Sequence, residues 1–100
     1  MKKITIEGKF TGAVNNFVIL DVFRPNSQPS PYDFRKSYDK DFKETLKDLQ
    51  PGLVYNIDFT GFTTGNFTLK ISGDFENPNP ITDSFDNDTF SPGYAILTTK

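Results

Sequence analysis

Apolar and polar residues alternate one by one through much of this chain. In residues 3–10, KITIEGKF, Ile4, Ile6 and Phe10 fall on one side and Thr5, Glu7 and Lys9 on the other, which is the period of a strand with one wet face. Gly8 stands on the apolar side, where a missing side chain marks a bulge or a close backbone approach. TGAVNN reads as a turn. Residues 17–24, FVILDVFR, are apolar on both sides except for Asp21, and so predict a central strand covered on both faces. Asp21 is expected near a sheet end or accepting backbone bonds. PNSQPSPYD, residues 25–33, holds three of the seven prolines and predicts a loop.

Residues 38–49 support two readings. Tyr38, Phe42, Leu46 and Leu49 are spaced as on an amphipathic helix. The strand reading places Glu44 on the apolar side between Phe42 and Leu46, yet the strand-like runs around it favour strand. Residues 54–60, VYNIDFT, alternate with Tyr55, Ile57 and Phe59 on one side, and 66–72, NFTLKIS, with Phe67, Leu69 and Ile71. GFTTG between them is expected to be a hairpin loop joining an antiparallel pair with one wet face. Residues 74–93, DFENPNPITDSFDNDTFSPG, predict a long irregular acidic segment, and YAILTT a last strand. Five or six strands with turn residues between them predict a single all-β domain over residues 1–100, a small antiparallel β-sandwich.

Composition narrows the chemistry. The 100 residues include no Cys and no His. Disulfides, thiolate nucleophiles, Cys- or His-ligated metal and Ser-His or Cys-His catalysis are therefore excluded, and the expectation is a protein that is not an enzyme. The net charge of −2 offers nucleic acid no basic surface. Charge is uneven: residues 71–99 hold five acids, Asp74, Glu76, Asp83, Asp86 and Asp88, and no Lys or Arg, the signature of a solvated acidic face. Eleven Phe and four Tyr suit a sheet core, whereas the absence of Trp weakens a sugar-platform reading. Lys2 and Lys3 mimic the start of a signal peptide, but Glu7 and Lys9 interrupt the apolar run. No stretch approaches the roughly 18 apolar residues of a membrane span. The expectation is a cytoplasmic chain, or one cut from a longer surface or secreted protein.

The string Leu46-x-x-Leu49-x-Pro51-Gly52-x-x-Tyr55 is similar to the tyrosine-corner region of fibronectin type III domains. That resemblance, over residues 42–72, implies an Ig-like sandwich in which the Tyr55 hydroxyl bonds the backbone just upstream. The chain departs from the pattern in lacking a core Trp in FVILDVF, in Glu44, and in the strand-like segment after the presumed last strand. A second resemblance is to the prealbumin-like, carboxypeptidase-regulatory type of domain of bacterial surface proteins. It rests on IEGKFTG, the Pro51-Gly52 to Tyr55 turn and Gly61-Phe62, with the turn one residue longer than usual. Both resemblances imply a non-catalytic sandwich and neither implies a ligand.

Three constellations are candidates for sites. Asp83, Asp86 and Asp88 in TDSFDNDTF are weak calcium candidates, for Ca²⁺ takes six to eight oxygens and the spacing is not that of an EF-hand; no cofactor is expected otherwise. Asp39, Asp41 and Glu44 lie on a Lys-rich segment and read as surface charge. Tyr32, Phe34 and Tyr38 around Arg35 and Lys36 make a candidate contact patch, against the alternative that they cover the core. The sequence thus points to a structural or protein-interaction module without catalysis, its contacts expected from loops at 25–38, 61–65 and 74–93. The alternative is a small carbohydrate-binding module, calcium-assisted if the aspartates bind metal. The expected partner is a protein, or in the alternative a polysaccharide.

Overall fold

The computed structural model describes residues 1–25, 31–76 and 78–100. Its elements are β1 (Lys2–Thr11), β2 (Asn16–Phe23), β3 (Asp33–Tyr38), β4 (Phe42–Leu49), β5 (Val54–Gly73), β6 (Ile81–Phe90) and β7 (Gly93–Leu97). All pairings are antiparallel, and together they make one sheet. β5 has 20 residues, and at 3.3 Å per residue a straight strand of that length would measure about 66 Å. The longest dimension of the molecule is 40 Å, so β5 must turn within its length. The sheet is accordingly strongly curled.

β5 is the spine. Along one edge, β2 pairs with its first part (Phe23 opposite Asn56, Asn16 opposite Thr63) and β1 with its second (Thr11 opposite Asn66, Ile4 opposite Gly73). Along the other edge β7 pairs with 54–58 and β6 with 61–71. β3 and β4 pair with the outer edges of β2 and β1. The sheet thus has a β1 half (β4, β1, late β5, β6) and a β2 half (β3, β2, early β5, β7), with a corner between them. The predicted hairpin at GFTTG is corrected: 54–60 and 66–72 are two parts of one strand, and the glycines serve a corner rather than a reversal.

The corner explains each residue of GFTTG. A Cβ on Gly61 would collide with the Phe17 carbonyl, and one on Gly65 with the Thr11 carbonyl; only glycine admits that backbone approach. Thr63, 2 % exposed, donates its hydroxyl to Asn16 Oδ1 (3.0 Å) and accepts from the Gly65 amide (3.1 Å). Thr64 Oγ1 accepts from the Val14 and Asn15 amides at 2.9 and 3.0 Å, tying down the 12–15 turn. Side chains therefore satisfy backbone groups where the ladder is interrupted. β6 turns at the same level: the register shifts between Thr63 and Asn66, and Asn87 takes φ 41°, a left-handed conformation that Asn tolerates.

The two halves face each other across the core. β1, β4, β5 and β6 contribute Ile4, Ile6, Leu46, Phe67, Leu69, Ile71 and Ile81, while β2, β5 and β7 contribute Val18, Leu20, Val22, Tyr55, Ile57, Phe59 and Ile96. Phe67 is fully buried beside the corner, 4.8 Å from the Phe10 and Phe90 ring centres and 6.2 Å from Phe59. Burying such a ring stabilises by roughly 1.5–3 kcal/mol. Gly8 pairs with Phe42, whose ring fills the place a Cβ would take and stacks on Tyr38 at 3.9 Å.

Other expectations are corrected. FVILDVF buries one face only: Val18, Leu20 and Val22 are inside, but Phe17 is 38 % exposed. Residues 38–49 are strand apart from a three-residue break at 39–41, and Glu44 lies opposite Ile6 on the inward side at the sheet edge. The loop expected at 25–38 ends at Asp33, where β3 begins; its residues 26–30 lie outside those described, as does residue 77. Half of the segment expected to be irregular, 81–90, is β6, because its pairing needs are met by β5. Among the described residues no helix is long and apolar enough to cross a membrane.

Gly61→Ala should therefore destabilise by about 1–3 kcal/mol or more, the scale of overpacking against an immobile backbone. Thr60→Ala, one residue away and exposed, should stay within about 0.5 kcal/mol of the parent. Urea-denaturation midpoints compare them, and equal effects would refute the corner assignment.

Candidate functional site

The chain passes from the β1 half to the β2 half at residues 50–53, the turn inside the predicted corner string. Leu46 and Leu49 are buried, and Gly52 has φ 70°, which glycine adopts without strain. Pro51 is exposed. Tyr55 is 2 % exposed, and its hydroxyl oxygen accepts the Gln50 amide at 2.8 Å. Arg24 donates to the Val54 carbonyl (2.6 Å) and lies over the Tyr55 ring. Thr98, which the sequence did not single out, is fully buried. It donates to the Gln50 carbonyl and accepts the Leu53 amide, fastening the C-terminal segment to the turn.

The predicted contact patch is divided by the pleat. Phe34 and Tyr38 lie opposite Val22 and Val18 on the inward side, while Arg35 lies opposite Asp21 on the outward side. Tyr32, Phe34 and Tyr38 are half-buried and pack on the core, so these aromatics do not form an exposed cluster with Arg35. The two tyrosine hydroxyls close the open edge between β3 and β4: Tyr32 donates to Asp48 (2.9 Å) and Tyr38 to Glu44 (2.7 Å), with Lys36 3.5 Å from Glu44. The opposite edge repeats the device, where Tyr94 of β7 donates to Asp83 of β6 at 2.8 Å. In each case a tyrosine of the β2 half grips a carboxylate of the β1 half. Burial first, then the carboxylate partner, pushes all three phenols well above the usual tyrosine range.

The acidic candidates are dispersed. Asp83 lies opposite Leu69 on the inward side and Asp86 opposite Asn66 on the outward side. Asp83 accepts from Tyr94 and the Ser84 amide, Asp86 from Asn66, and Asp88 from the Thr89 amide. Among the described residues no three acidic groups converge as a metal would need.

The outward face of the β2 half holds what the sequence missed. Phe17 and Phe62 are opposite each other, 38 % and 41 % exposed, with ring centres 6.5 Å apart. They border an open groove of about 410 Å³ lined also by Ile19, Thr60, Gly61, Thr89 and Ser91. Two signals pointed here: FVILDVF has apolar residues on both faces, one of which the fold leaves uncovered, and Phe62, Thr89 and Ser91 fall in the 61–65 and 74–93 segments expected to make contacts. Towards the other end of this face runs one cross-strand row: Arg35 opposite Asp21, Asp21 opposite Asp58, Asp58 opposite Gly93. Arg35 reaches Asp21 at 3.8 Å from an exposed position, a pair worth at most about 1 kcal/mol. Burial and then the Asp21 charge raise the Asp58 carboxyl above its ordinary range. The two carboxylates stand on an open face and not in a cleft.

No family model, curated protein or solved structure matches this chain. Its reading therefore rests on its own residues.

Two predictions follow from these charges. A phenol whose folded pKa is raised stays protonated in the fold after the unfolded chain has begun to ionise near pH 10. The tyrosine contribution is thus complete below about pH 10 and falls as pH rises beyond it. Stability measured by urea should decline above pH 10, and less steeply in Tyr38→Phe/Tyr94→Phe, which at pH 7 should cost about 1 kcal/mol per hydroxyl. Parallel declines would refute the clasps. For Asp58 the raised pKa means that ionisation opposes folding: its favourable contribution is present below about pH 4 and lost as pH rises through the folded pKa. Asp58→Asn should raise the melting temperature at pH 7 and lose that advantage near pH 3; a variant less stable at pH 7 would contradict this.

Proposed function

We propose that this chain is a non-catalytic protein-interaction module, an Ig-like or prealbumin-like β-sandwich whose two layers are the β1 and β2 halves. The Pro51–Gly52 passage between the halves and the Tyr55–Gln50 bond support the comparison with fibronectin type III corners. The absence of His and Cys, and a carboxylate pair that faces open solvent, support a role without catalysis.

One observation carries the interaction reading. The outward face of the β1 half is polar throughout: Thr5, Glu7, Lys9, Lys43, Thr45, Thr68, Lys70, Thr82 and Ser84. The same face of the β2 half presents Phe17, Ile19, Phe62, Val54 and Leu97, four of them more than a third exposed. Phe17, Ile19 and Phe62 at the corner end, and Val54 with Leu97 beyond the Arg35–Asp21–Asp58 row, have no counterpart on the polar face of the β1 half, and exposed apolar patches of this kind mark contact surfaces. A second reading, a small carbohydrate-binding module, draws support from the hydroxyls of Thr60, Thr89 and Ser91 beside the two phenyl rings.

A photo-crosslinking residue in place of Phe62, expressed in the native cells, should join the chain to a discrete protein, whereas the same residue at Lys70 should not. Retention on insoluble polysaccharide that Phe62→Ser abolishes, with no protein crosslink, would transfer the assignment to the sugar reading.

A further inference from the structure

The outward face of the β2 half offers side chains but no free backbone, because its strands are paired with one another. An extended chain laid on it would bury its own N–H and C=O groups without partners, whereas a helix arrives with its backbone bonds already made. From the Phe17–Phe62 pair to the Phe23–Asn56 pair the face runs six residues along the strands and four strands across. At about 3.3 Å per residue and 4.8 Å per strand that is on the order of 400 Å². A stable contact between folded domains buries about 800 Å² on each partner, so this face is sized for a single element and not for a second domain.

Two features of the face specify that element. Phe17, Ile19 and Phe62 stand together at the corner end and border the groove of about 410 Å³, which suits an apolar side chain. Asp58 follows on the same face of β5, four residues from Phe62 and so about 13 Å away, in the row with Asp21 and Arg35. That row has one cation for two carboxylates. Arg35 reaches Asp21. Asp58 makes no ion pair or side-chain hydrogen bond among the described residues, and its Oδ1 lies against Gly93, where a side chain would otherwise stand. Resting on the interaction reading above, we propose that the outward face of the β2 half binds an amphipathic helix of another protein, laid along the strands, with an apolar residue against Phe17 and Phe62 and a lysine or arginine seven or eight positions away over the Asp58 carboxylate. At 1.5 Å per residue that spacing spans about 10.5–12 Å, keeps both residues on one helix face, and leaves a short remainder for the long basic side chain. The cation comes from the open outward side and supplies the counter-charge that the row lacks. The same face of a second copy does not fit. Overlaid with strands parallel, the two copies would set carboxylates against carboxylates; overlaid antiparallel, they would set carboxylates against Ile19.

The probe is an acetylated, amidated helical peptide of alanine and glutamine that carries two leucines one turn apart and, two turns from the first of them on the same face, a lysine. The control peptide has glutamate for that lysine, and binding is followed by NMR of the whole chain. The lysine peptide should give saturable amide shifts at Phe17, Ile19, Asp58 and Phe62, and the glutamate peptide should bind about tenfold more weakly, a difference of about 1.4 kcal/mol. In the lysine complex the Asp58 carboxyl should titrate at lower pH than in the free chain, because a nearby cation favours the charged form. Asp58→Asn should bind the two peptides alike, and Phe62→Ser should abolish the shifts, with melting curves showing that both variants fold. Absence of saturable shifts at those amides up to about 1 mM peptide, equal binding of the two peptides by the parent chain, or an unmoved Asp58 titration overturns the proposal. Shifts that grow with protein concentration without peptide overturn it in favour of a second copy. Crosslinking through Phe62 tests the interaction reading separately, so a failure of the peptides with that crosslink intact removes only the helix.

Discussion

A strand of 20 residues inside a molecule 40 Å long has to turn a corner, and this fold depends on how β5 does so. The corner needs two places where another strand's backbone can come closer than any side chain allows, and Gly61 and Gly65 are those places. It needs replacement partners for interrupted backbone bonds, which Thr63 and Thr64 provide. It also needs apolar volume on its inner side, and Phe67 with Phe10, Phe59 and Phe90 fills it. Every other strand is laid against β5 or against a neighbour of β5, so the corner of one strand becomes the corner of the sheet.

Bending the sheet brings its two halves together but leaves them open along both sides, where core residues would meet water. Tyr38–Glu44 and Tyr32–Asp48 close one side and Tyr94–Asp83 the other. A tyrosine suits this place because its ring covers core while its hydroxyl reaches the rim. The carboxylates do double service, since a charge on the inward side of an edge strand also discourages pairing with foreign chains. Glu44, which spoils the apolar pattern of its strand, is thus a necessary part of an edge.

Period-2 alternation made most strands legible, including Ile4 and Ile6 in β1, Tyr55 to Phe59 and Phe67 to Ile71 in β5, and Ile96 in β7. What alternation could not give was connectivity. Two alternating runs joined by five residues with a glycine at each end have the local form of a hairpin, and only the long-range approach of Phe17 and Thr11 to those glycines makes them one strand. The same limit applies at 81–90, where polar composition concealed a strand whose partner is 20 residues away in β5 (Asn66 opposite Asp86). The contact patch around Arg35 was misread for a third reason. Tyr32, Phe34 and Tyr38 share one parity and Arg35 the other, so once β3 is a strand they cannot share a surface.

Comparing the two outward faces separates what folding requires from what it does not. Both cover a four-strand sheet, both meet water, and both begin at the same corner. The β1 half meets those conditions with cross-strand threonines and with Glu7 between Lys43 and Lys70, which shows that this architecture is content with a polar exterior. Nothing in the corner, the clasps or the core calls for phenylalanine at 17 and 62, for leucine at 97, or for a second aspartate beside Asp21. Phe17 and Phe62 leave apolar rings in water, and burial and the Asp21 charge hold the Asp58 carboxyl above its ordinary range. Residues that a fold can do without are where a binding role is to be sought, and here they stand on the outward side of the β2 half.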